Sequence, residues 1–200
     1  MRVYGLLLAA GESTRMGRPK ALLPWEGKTL VEFQVAQLLA GGVERVLLVL
    51  GHEAESISGI AGSLPRTDIV LNPGYATGKT SSIRAGMKAL PANADAVLML
   101  SVDQPVPAAL IRQALEAHAA GDALITVPSF GGRHGHPAIF AKALFPEMLE
   151  VAEETQGLRA VRRRHLGATR IFDAHTPAPL FDLNTPEEYE AALAFFARKR

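Results

Sequence analysis

The sequence contains no cysteine among its 200 residues. Without cysteine the protein has no disulfide framework, no thiolate metal site and no cysteine nucleophile. An excess of charge of one sign is also lacking, because 21 Lys and Arg residues are balanced by 20 Asp and Glu residues. Such a chain has no global field that attracts nucleic acid or an acidic membrane, so we expect neither partner and look for local anion binding instead.

Long apolar runs are absent as well. No stretch approaches the ~20 apolar residues that a membrane-spanning helix needs. The run that follows Arg2 ends in Ala9-Ala10 and resembles a short signal peptide, but it is brief and a charged loop follows it directly. We therefore expect this run to be a buried first strand, and we expect a cytoplasmic protein.

Short apolar runs alternate with helical patterns along most of the chain. Thr29 and Glu32 form a capping box for a helix that ends at Gly41-Gly42. The remaining predicted strands cover residues 45–50, 68–71, 96–102, 123–127, 138–140 and 169–172. The remaining predicted helices cover residues 53–61, 81–90, 107–119, 141–153, 158–165 and 186–197. The alternation predicts an α/β fold with a doubly wound, mainly parallel (mixed) sheet and helices on both faces, as a single domain over residues 1–200.

Residues 6–20 form the most distinctive stretch, in which an apolar strand gives way to a loop with glycines, hydroxyls and cations. Gly11 and Gly17 permit a positive φ and a close approach of the backbone to a ligand. Arg15 and Lys20 supply positive charge for phosphate oxygens. The stretch therefore predicts a polyphosphate site, although its spacing matches neither a Walker A loop nor a dinucleotide fingerprint.

Asp103 directly follows the predicted strand 96–102. A carboxylate at the carboxyl edge of a central strand can bind Mg²⁺ between phosphate oxygens. The alternative is a turn residue, because Asp103-Gln104-Pro105 is also ordinary turn chemistry.

The segment from residue 72 to residue 82 combines a turn with the start of a helix. The first amides and hydroxyls of that helix can meet a base or a phosphate. Gly78-Lys79-Thr80 also resembles the end of a Walker A loop. Only three residues separate Gly74 from Gly78, however, where the Walker motif needs four, so a P-loop ATPase is the least favoured interpretation.

Residues 133–137 read Arg-His-Gly-His-Pro. With no cysteine and with the other four histidines scattered, these two histidines do not indicate zinc. His136 is either a ligand-binding residue or a turn histidine without a ligand.

Two further segments carry charge in the last quarter of the chain. Arg159 and the run 162–164 form a basic cluster, which is either a solvated face that complements a helix dipole or a phosphate-binding group. Residues 182–188 end in helix-capping chemistry, with Thr185 as the cap. Capping does not explain the acid Asp182 that precedes it.

The loop resembles the signature of the molybdenum cofactor nucleotidyltransferases, through the residues Leu8-Ala9-Ala10-Gly11-x-Ser13-x-Arg15-Met16-Gly17-x-x-Lys20. It is most similar to the cytidylyltransferase branch, because Ala10 stands where the guanylyl branch usually has a second glycine. Gly135-His136-Pro137 is also typical of that branch. The resemblance implies a Rossmann-like nucleotidyltransferase that moves a cytidylyl group from CTP to the phosphate of molybdopterin or its molybdenum form, with release of pyrophosphate.

The resemblance also implies roles for individual residues. The nucleotide would be bound by Leu8, Ala9, Ala10, Gly11, Ser13, Gly78, Ser81 and Ser82. The catalytic residues would be Arg15, Lys20 and Asp103. Arg133 and His136 would bind the acceptor, and Asp103 with Asp182 would bind Mg²⁺. Asn184 is the alternative second metal ligand, but many family members have Asp at that position, so the resemblance favours Asp182.

On this interpretation residues 1–127 form a nucleotide-binding half and residues 128–200 an acceptor-side half, and a molybdenum hydroxylase is an expected partner. Three alternatives remain open. A related transferase would use GTP, or a sugar or polyol phosphate as acceptor. A non-catalytic chaperone would carry the cofactor to a hydroxylase. A P-loop ATPase would depend on Lys79.

Overall fold

The computed structural model describes residues 1–12 and 17–198. The predictions for Ser13 and Arg15 lie outside the described residues. The described residues form ten strands: β1 (Val3–Ala9), β2 (Pro24–Trp25), β3 (Lys28–Thr29), β4 (Val46–Leu50), β5 (Thr67–Leu71), β6 (Ala96–Ser101), β7 (Ile125–Phe130), β8 (Arg133–His134), β9 (Ala138–Ala141) and β10 (Thr169–Asp173).

The α-helices of the described residues are α1 (Leu30–Gly41), α2 (Ala54–Ala61), α3 (Lys79–Lys88), α4 (Ala108–Ala119), α5 (Phe145–Leu149), α6 (Leu158–Arg164) and α7 (Pro186–Ala197). Short 3₁₀ turns cover Lys20–Leu22, Tyr75–Thr77, Lys142–Leu144, Leu166–Ala168 and Ala178–Leu180. Within the described ranges, no helix has both the length and the apolar character needed to cross a membrane.

Eight of the strands form one mixed sheet, in the order β10-β7-β9-β6-β1-β4-β5, with β8 paired to β7. The pairs of β1 with β4 and β6, of β4 with β5, and of β7 with β10 are parallel. Strand β9 runs antiparallel to both β6 and β7. The predicted doubly wound, mainly parallel sheet is confirmed.

The sheet is covered on both faces, as expected for a parallel sheet with fully apolar strands. Side chains alternate along β1, so Leu7 and Ala9 join one core with α1, α4 and α7, while Leu6 and Leu8 join a second core with α3, α5 and α6. The predicted helices on both faces are confirmed.

The capping residues predicted from the sequence lie at the observed ends of α1 and α7. Thr29 and Glu32 form both bonds of the capping box of α1, and Gly42 ends the helix with a φ of 112°. Thr185 and Glu188 form the same box at α7. Helix α3 begins at Lys79, two residues before the predicted start, because Gly78 adopts a φ of 112° and releases the chain into the helix there.

The second half departs from prediction at two places. Residues 129–137 lie outside every predicted strand and helix, but β7 continues to Phe130 and pairs with β8 across Gly131-Gly132, which both have positive φ. The helix predicted over residues 141–153 is only a 3₁₀ turn followed by α5. The chain then turns at Gln156 and Gly157, with φ values of 63° and 53°, before α6 begins.

Candidate functional site

A cavity of about 1020 Å³ opens at one edge of the sheet. It lies where β1 and β6 end and where the antiparallel β9 begins, beside the first turn of α3. Ligands in open α/β sheets bind at this edge, outside the carboxyl ends of the strands. Most of the predicted site residues line the cavity, namely Leu8, Ala9, Ala10, Gly11, Lys20, Gly78, Ser82, Asp103, His136 and Asp182.

Lys20 and Asp103 form the charged centre of the cavity. The Lys20 ammonium donates to Asp103 Oδ2 over 2.8 Å and to Asn184 Oδ1 over 2.9 Å. The two charged side chains are only 12% and 23% exposed, so the pair is poorly screened by solvent. Three segments far apart in sequence therefore meet at one ammonium group.

Asp182 is the second carboxylate of the cavity. Gln104 holds it, because the Gln104 amide nitrogen donates to Asp182 Oδ1 over 2.9 Å while its amide oxygen accepts the N–H of Ser101. Burial raises the pKa of Asp182, the Gln104 hydrogen bond opposes this rise, and the charge of Asp103 adds to it. Two neighbouring carboxylates that repel each other in this way provide the oxygen ligands that Mg²⁺ or Mn²⁺ prefers.

The described residues contain no cluster of three or more His, Cys, Asp or Glu side chains that would hold a metal ion alone. Two carboxylates with substrate phosphate oxygens and water are a usual set for Mg²⁺. Asp103 and Asp182 thus fit a divalent cation that arrives with a nucleotide. Asn184, the predicted alternative ligand, also lines the cavity, with its side-chain oxygen on Lys20.

The two predicted serines of α3 differ in position. Asn72 is buried and donates to both hydroxyls, over 2.9 Å to Ser81 and 3.0 Å to Ser82. Ser82 lines the cavity. Ser81 does not, because its hydroxyl turns to the carbonyls of Gly74 and Gly78. The structure therefore places Ser81 outside the cavity wall, where it holds the turn before α3.

The two predicted acceptor residues also separate. His136 lines the cavity, and its backbone N–H donates to the carbonyl of Pro179 over 2.9 Å. Burial lowers the pKa of His136 to about 4, an effect increased by the charge of Lys79 and opposed by Asp103. Arg133 lies exposed on β8 and is not part of the cavity wall, because the hairpin carries it away from the strand edge.

The two glycines of the loop are not equivalent. Gly17 has a φ of 66°, as predicted. Gly11 does not adopt a positive φ, and a Cβ added there would have open space around it. Among the described residues, nothing around position 11 would oppose a side chain, so the backbone there is open to a ligand.

Several cavity residues carry no clear signal in the sequence. Lys79 was considered only as a Walker lysine, yet its ammonium donates to Ser101 Oγ over 2.7 Å on the cavity wall. Glu153 reaches in from the segment before α6 and accepts the N–H of Thr80 over 2.7 Å. Gln104 lies in the segment Asp103-Gln104-Pro105, which led to a prediction for Asp103 but to none for Gln104.

Comparison with known proteins agrees with this geometry. The family model described as the MobA-like NTP transferase domain matches residues 5–169. A molybdenum cofactor guanylyltransferase of Rhodobacter capsulatus is 34% identical over 202 residues, which cover 96% of this chain and 95% of that protein. A nicotine blue oxidoreductase of Paenarthrobacter nicotinovorans is 32% identical over 195 residues, 93% of this chain and 94% of that protein.

A molybdenum cofactor cytidylyltransferase of Escherichia coli is 24% identical over 187 residues, 94% of this chain and 93% of that protein. Among solved structures, Rv0371c from Mycobacterium tuberculosis superposes with a TM-score of 0.82 at 27% identity, over 97% of this chain and 98% of that one. A structure of the same protein in complex with manganese gives a TM-score of 0.77 at 25% identity, over 97% and 99%. The chain has the Rossmann-like nucleotidyltransferase fold and belongs to the MobA-like NTP transferase family.

Proposed function

We propose that this protein transfers a cytidylyl group from CTP to the phosphate of a molybdopterin-type acceptor and releases pyrophosphate. The observation that carries the proposal is the cavity in which the signature loop, the Lys20–Asp103 pair, Asp182 and His136 meet. One wall has the backbone of Ala9 to Gly11 available to a nucleotide. The second half of the chain adds His136 and Asp182 to the same cavity.

The chemistry requires little more than alignment and charge. An acceptor phosphate is already an anionic nucleophile, so no residue has to be covalently modified. Lys20 is positioned to offset negative charge that develops on the phosphates during an in-line displacement. His136 stays neutral near pH 7, and the proposed reaction does not require it to transfer a proton.

A divalent cation is part of the proposal, with Asp103 and Asp182 as its protein ligands. When bound, Mg²⁺ would neutralise part of the negative charge of the triphosphate, which is the usual role of this ion in nucleotide chemistry. The complex of Rv0371c with manganese supports a metal of this class in a relative. We propose Mg²⁺ as the ion that this chain uses.

GTP is the second candidate nucleotide. The Rhodobacter guanylyltransferase is 34% identical to the chain, whereas the Escherichia cytidylyltransferase is 24% identical. Ala10 and the Gly135-His136-Pro137 segment favour CTP, because both match the cytidylyl branch. A direct comparison of nucleotides must therefore be the first experiment.

In that experiment the melting temperature is measured with CTP, GTP, ATP and UTP in Mg²⁺, because a ligand bound only by the folded protein raises it. Pyrophosphate release is then measured with the best nucleotide and molybdopterin. We expect CTP to give the largest shift. Turnover with GTP alone would replace cytidylyl by guanylyl transfer, and no turnover with any nucleotide would refute the proposal.

Two variants test the charged centre. Lys20→Ala and Asp103→Asn should each lower kcat/KM by at least about 100-fold, because each removes a charge that acts on the reacting phosphates. Lys28→Ala and Asp122→Asn, at exposed positions outside the cavity, are the matched controls. Full activity in either cavity variant would refute the roles proposed for Lys20 and Asp103.

A further inference from the structure

The three consecutive arginines of α6 have three different environments. Arg164 is exposed and pairs with Glu147. Arg163 is exposed to solvent. Arg162 is half-buried and lines the cavity. The basic cluster of the sequence is thus split: Arg162 lines the cavity together with the exposed Arg159, whereas Arg163 and Arg164 do not.

The burial of Arg162 is not compensated by an anion. Desolvation lowers the pKa of Arg162, which means that its charged form loses favourable contact with water. Across residues 1–12 and 17–198, no carboxylate lies within ion-pair distance of its guanidinium, and its hydrogen-bonding contact is a long one, 3.5 Å to the ring of His134. An arginine cannot shed its charge to escape this cost, so the arrangement points to an anionic ligand.

Lys79 is a second cation of the same wall. It starts α3, and its ammonium is held by the hydroxyl of Ser101 over 2.7 Å. It too has no carboxylate within ion-pair distance among the residues that the structure describes. Its one strong contact is therefore to a neutral group, which leaves its charge available to a ligand.

Lys79 and Arg162 line the same cavity as His136, Lys79 from α3 and Arg162 from α6. The positive charges of both act on the ring of His136, which burial already keeps neutral. Lys20 differs from them, because its ammonium is already bound to Asp103 and Asn184. Among the described residues that line the cavity, Lys20 is paired with a carboxylate, whereas Lys79, Arg162 and the exposed Arg159 are not.

We propose that Lys79 and Arg162 form the subsite for the phosphate monoester of the acceptor, beside a neutral His136. The proposal deepens the proposed function and rests on it, since it assigns one of the two anionic substrates to its own cations. The guanidinium fork of Arg162 suits two oxygens of a terminal phosphate, and Lys79 adds a point charge. The nucleotide and the acceptor are both anions and repel each other. Lys79 and Arg162 would hold the acceptor phosphate, and Lys20 would act on the phosphates of the nucleotide.

The kinetic test uses Arg162→Gln and Lys79→Gln, with Arg163→Gln as the matched control on the same helix. We expect each cavity variant to raise the KM for molybdopterin by at least about tenfold and to leave the KM for CTP within about twofold. Arg163→Gln should behave as wild type. A rise in the KM for CTP with an unchanged KM for molybdopterin would show that these cations hold the triphosphate, and would overturn the proposal.

A binding test separates this proposal from the proposed function. Inorganic phosphate is titrated into each protein without nucleotide and followed by calorimetry. Wild type and Arg163→Gln should bind phosphate, and the two cavity variants should bind it at least about tenfold more weakly. If no nucleotide is turned over but phosphate binding still depends on Arg162, the proposed function fails and the anion subsite stands. Equal phosphate binding by all four proteins would overturn the subsite.

The melting temperature is an independent measurement. If Arg162 had only a structural role, its replacement would lower the melting temperature. Because the charge of Arg162 is buried without an anion, Arg162→Gln should leave the melting temperature unchanged or raise it. Arg164→Gln, which breaks the pair with Glu147, should lower it. A clear loss of melting temperature in Arg162→Gln would identify Arg162 as a packing residue and contradict the proposal.

Discussion

Leu183 donates its backbone N–H to the carbonyl oxygen of Asp103 over 2.9 Å. This one bond joins the end of β6 to the segment that leads into α7. It brings Asp182 beside Asp103, close enough for the charge of one to raise the pKa of the other. A main-chain bond of Leu183 to Asp103 therefore brings together two acids, Asp103 and Asp182, that are 79 positions apart in the sequence.

Gly11→Ala should separate folding from ligand binding. An added Cβ would meet no atom of residues 1–12 and 17–198 within 4 Å, and the φ of Gly11 is not in the left-handed region. The melting temperature should therefore stay at the wild-type value. The KM for the nucleotide should rise by about tenfold or more, because the methyl group stands between the backbone and the ligand. Unchanged nucleotide binding would show that the ligand does not approach position 11.

Gly135→Ala should act on folding. An added Cβ would lie 2.3 Å from the carbonyl oxygen of Pro179, so the backbone itself must shift. We expect a loss of about 1–3 kcal/mol in the free energy of unfolding, measured by urea denaturation. Gly167→Ala is the control, because its added Cβ would meet nothing within 4 Å. Equal stability of the two variants would contradict the close packing at Gly135.

Gln104→Met should weaken the binding of a divalent cation. The side chain is buried, and it orients Asp182 through a 2.9 Å hydrogen bond. Loss of such a supporting bond typically costs about 10- to 100-fold in metal affinity. The measurement is the dissociation constant for Mn²⁺, from the electron paramagnetic resonance signal of the free ion with CTP present. Gln37→Met, which removes a hydrogen bond at the start of α4 away from the cavity, should leave the Mn²⁺ affinity unchanged.

Stability should fall as the pH is lowered from about 6.5 towards 4. An unfolded chain protonates His136 near its ordinary pKa of about 6.5, whereas burial lowers the pKa in the folded protein to about 4. Between these values the unfolded chain binds more protons, so stability is complete above the window and lost within it, by up to about 3 kcal/mol.

His136→Gln should flatten the dependence of unfolding free energy on pH between 4 and 6.5. Part of the slope should remain, because burial also lowers the pKa of His118, whose ring lies 2.9 Å from the hydroxyl of Thr126. The free energy of unfolding is measured by urea denaturation at several pH values. An unchanged slope would mean that His136 is protonated as readily in the folded protein as in water.

Much of the fold could be predicted from local sequence patterns. The alternation of apolar runs with helical segments predicted the succession of strands and helices along the chain. The capping boxes at Thr29 and Thr185 predicted two helix starts to the residue. These features depend on neighbours three or four positions away, so a single sequence contains them. The hairpin through β8 was missed, because its strands are short and its two glycines read equally well as loop.

The sequence by itself determined the sheet, the edge at which the cavity opens and the loop that lines it, because these depend on period and on spacing along the chain. Only the tertiary structure decided that Ser82 and not Ser81 lines the cavity. It also decided that Arg162 lines the cavity while Arg163 and Arg164 do not. Lys79 lines the same cavity. Adjacent residues on a helix point about 100° apart, and the packing of α3 and α6 against the sheet selects which of them meets the ligand.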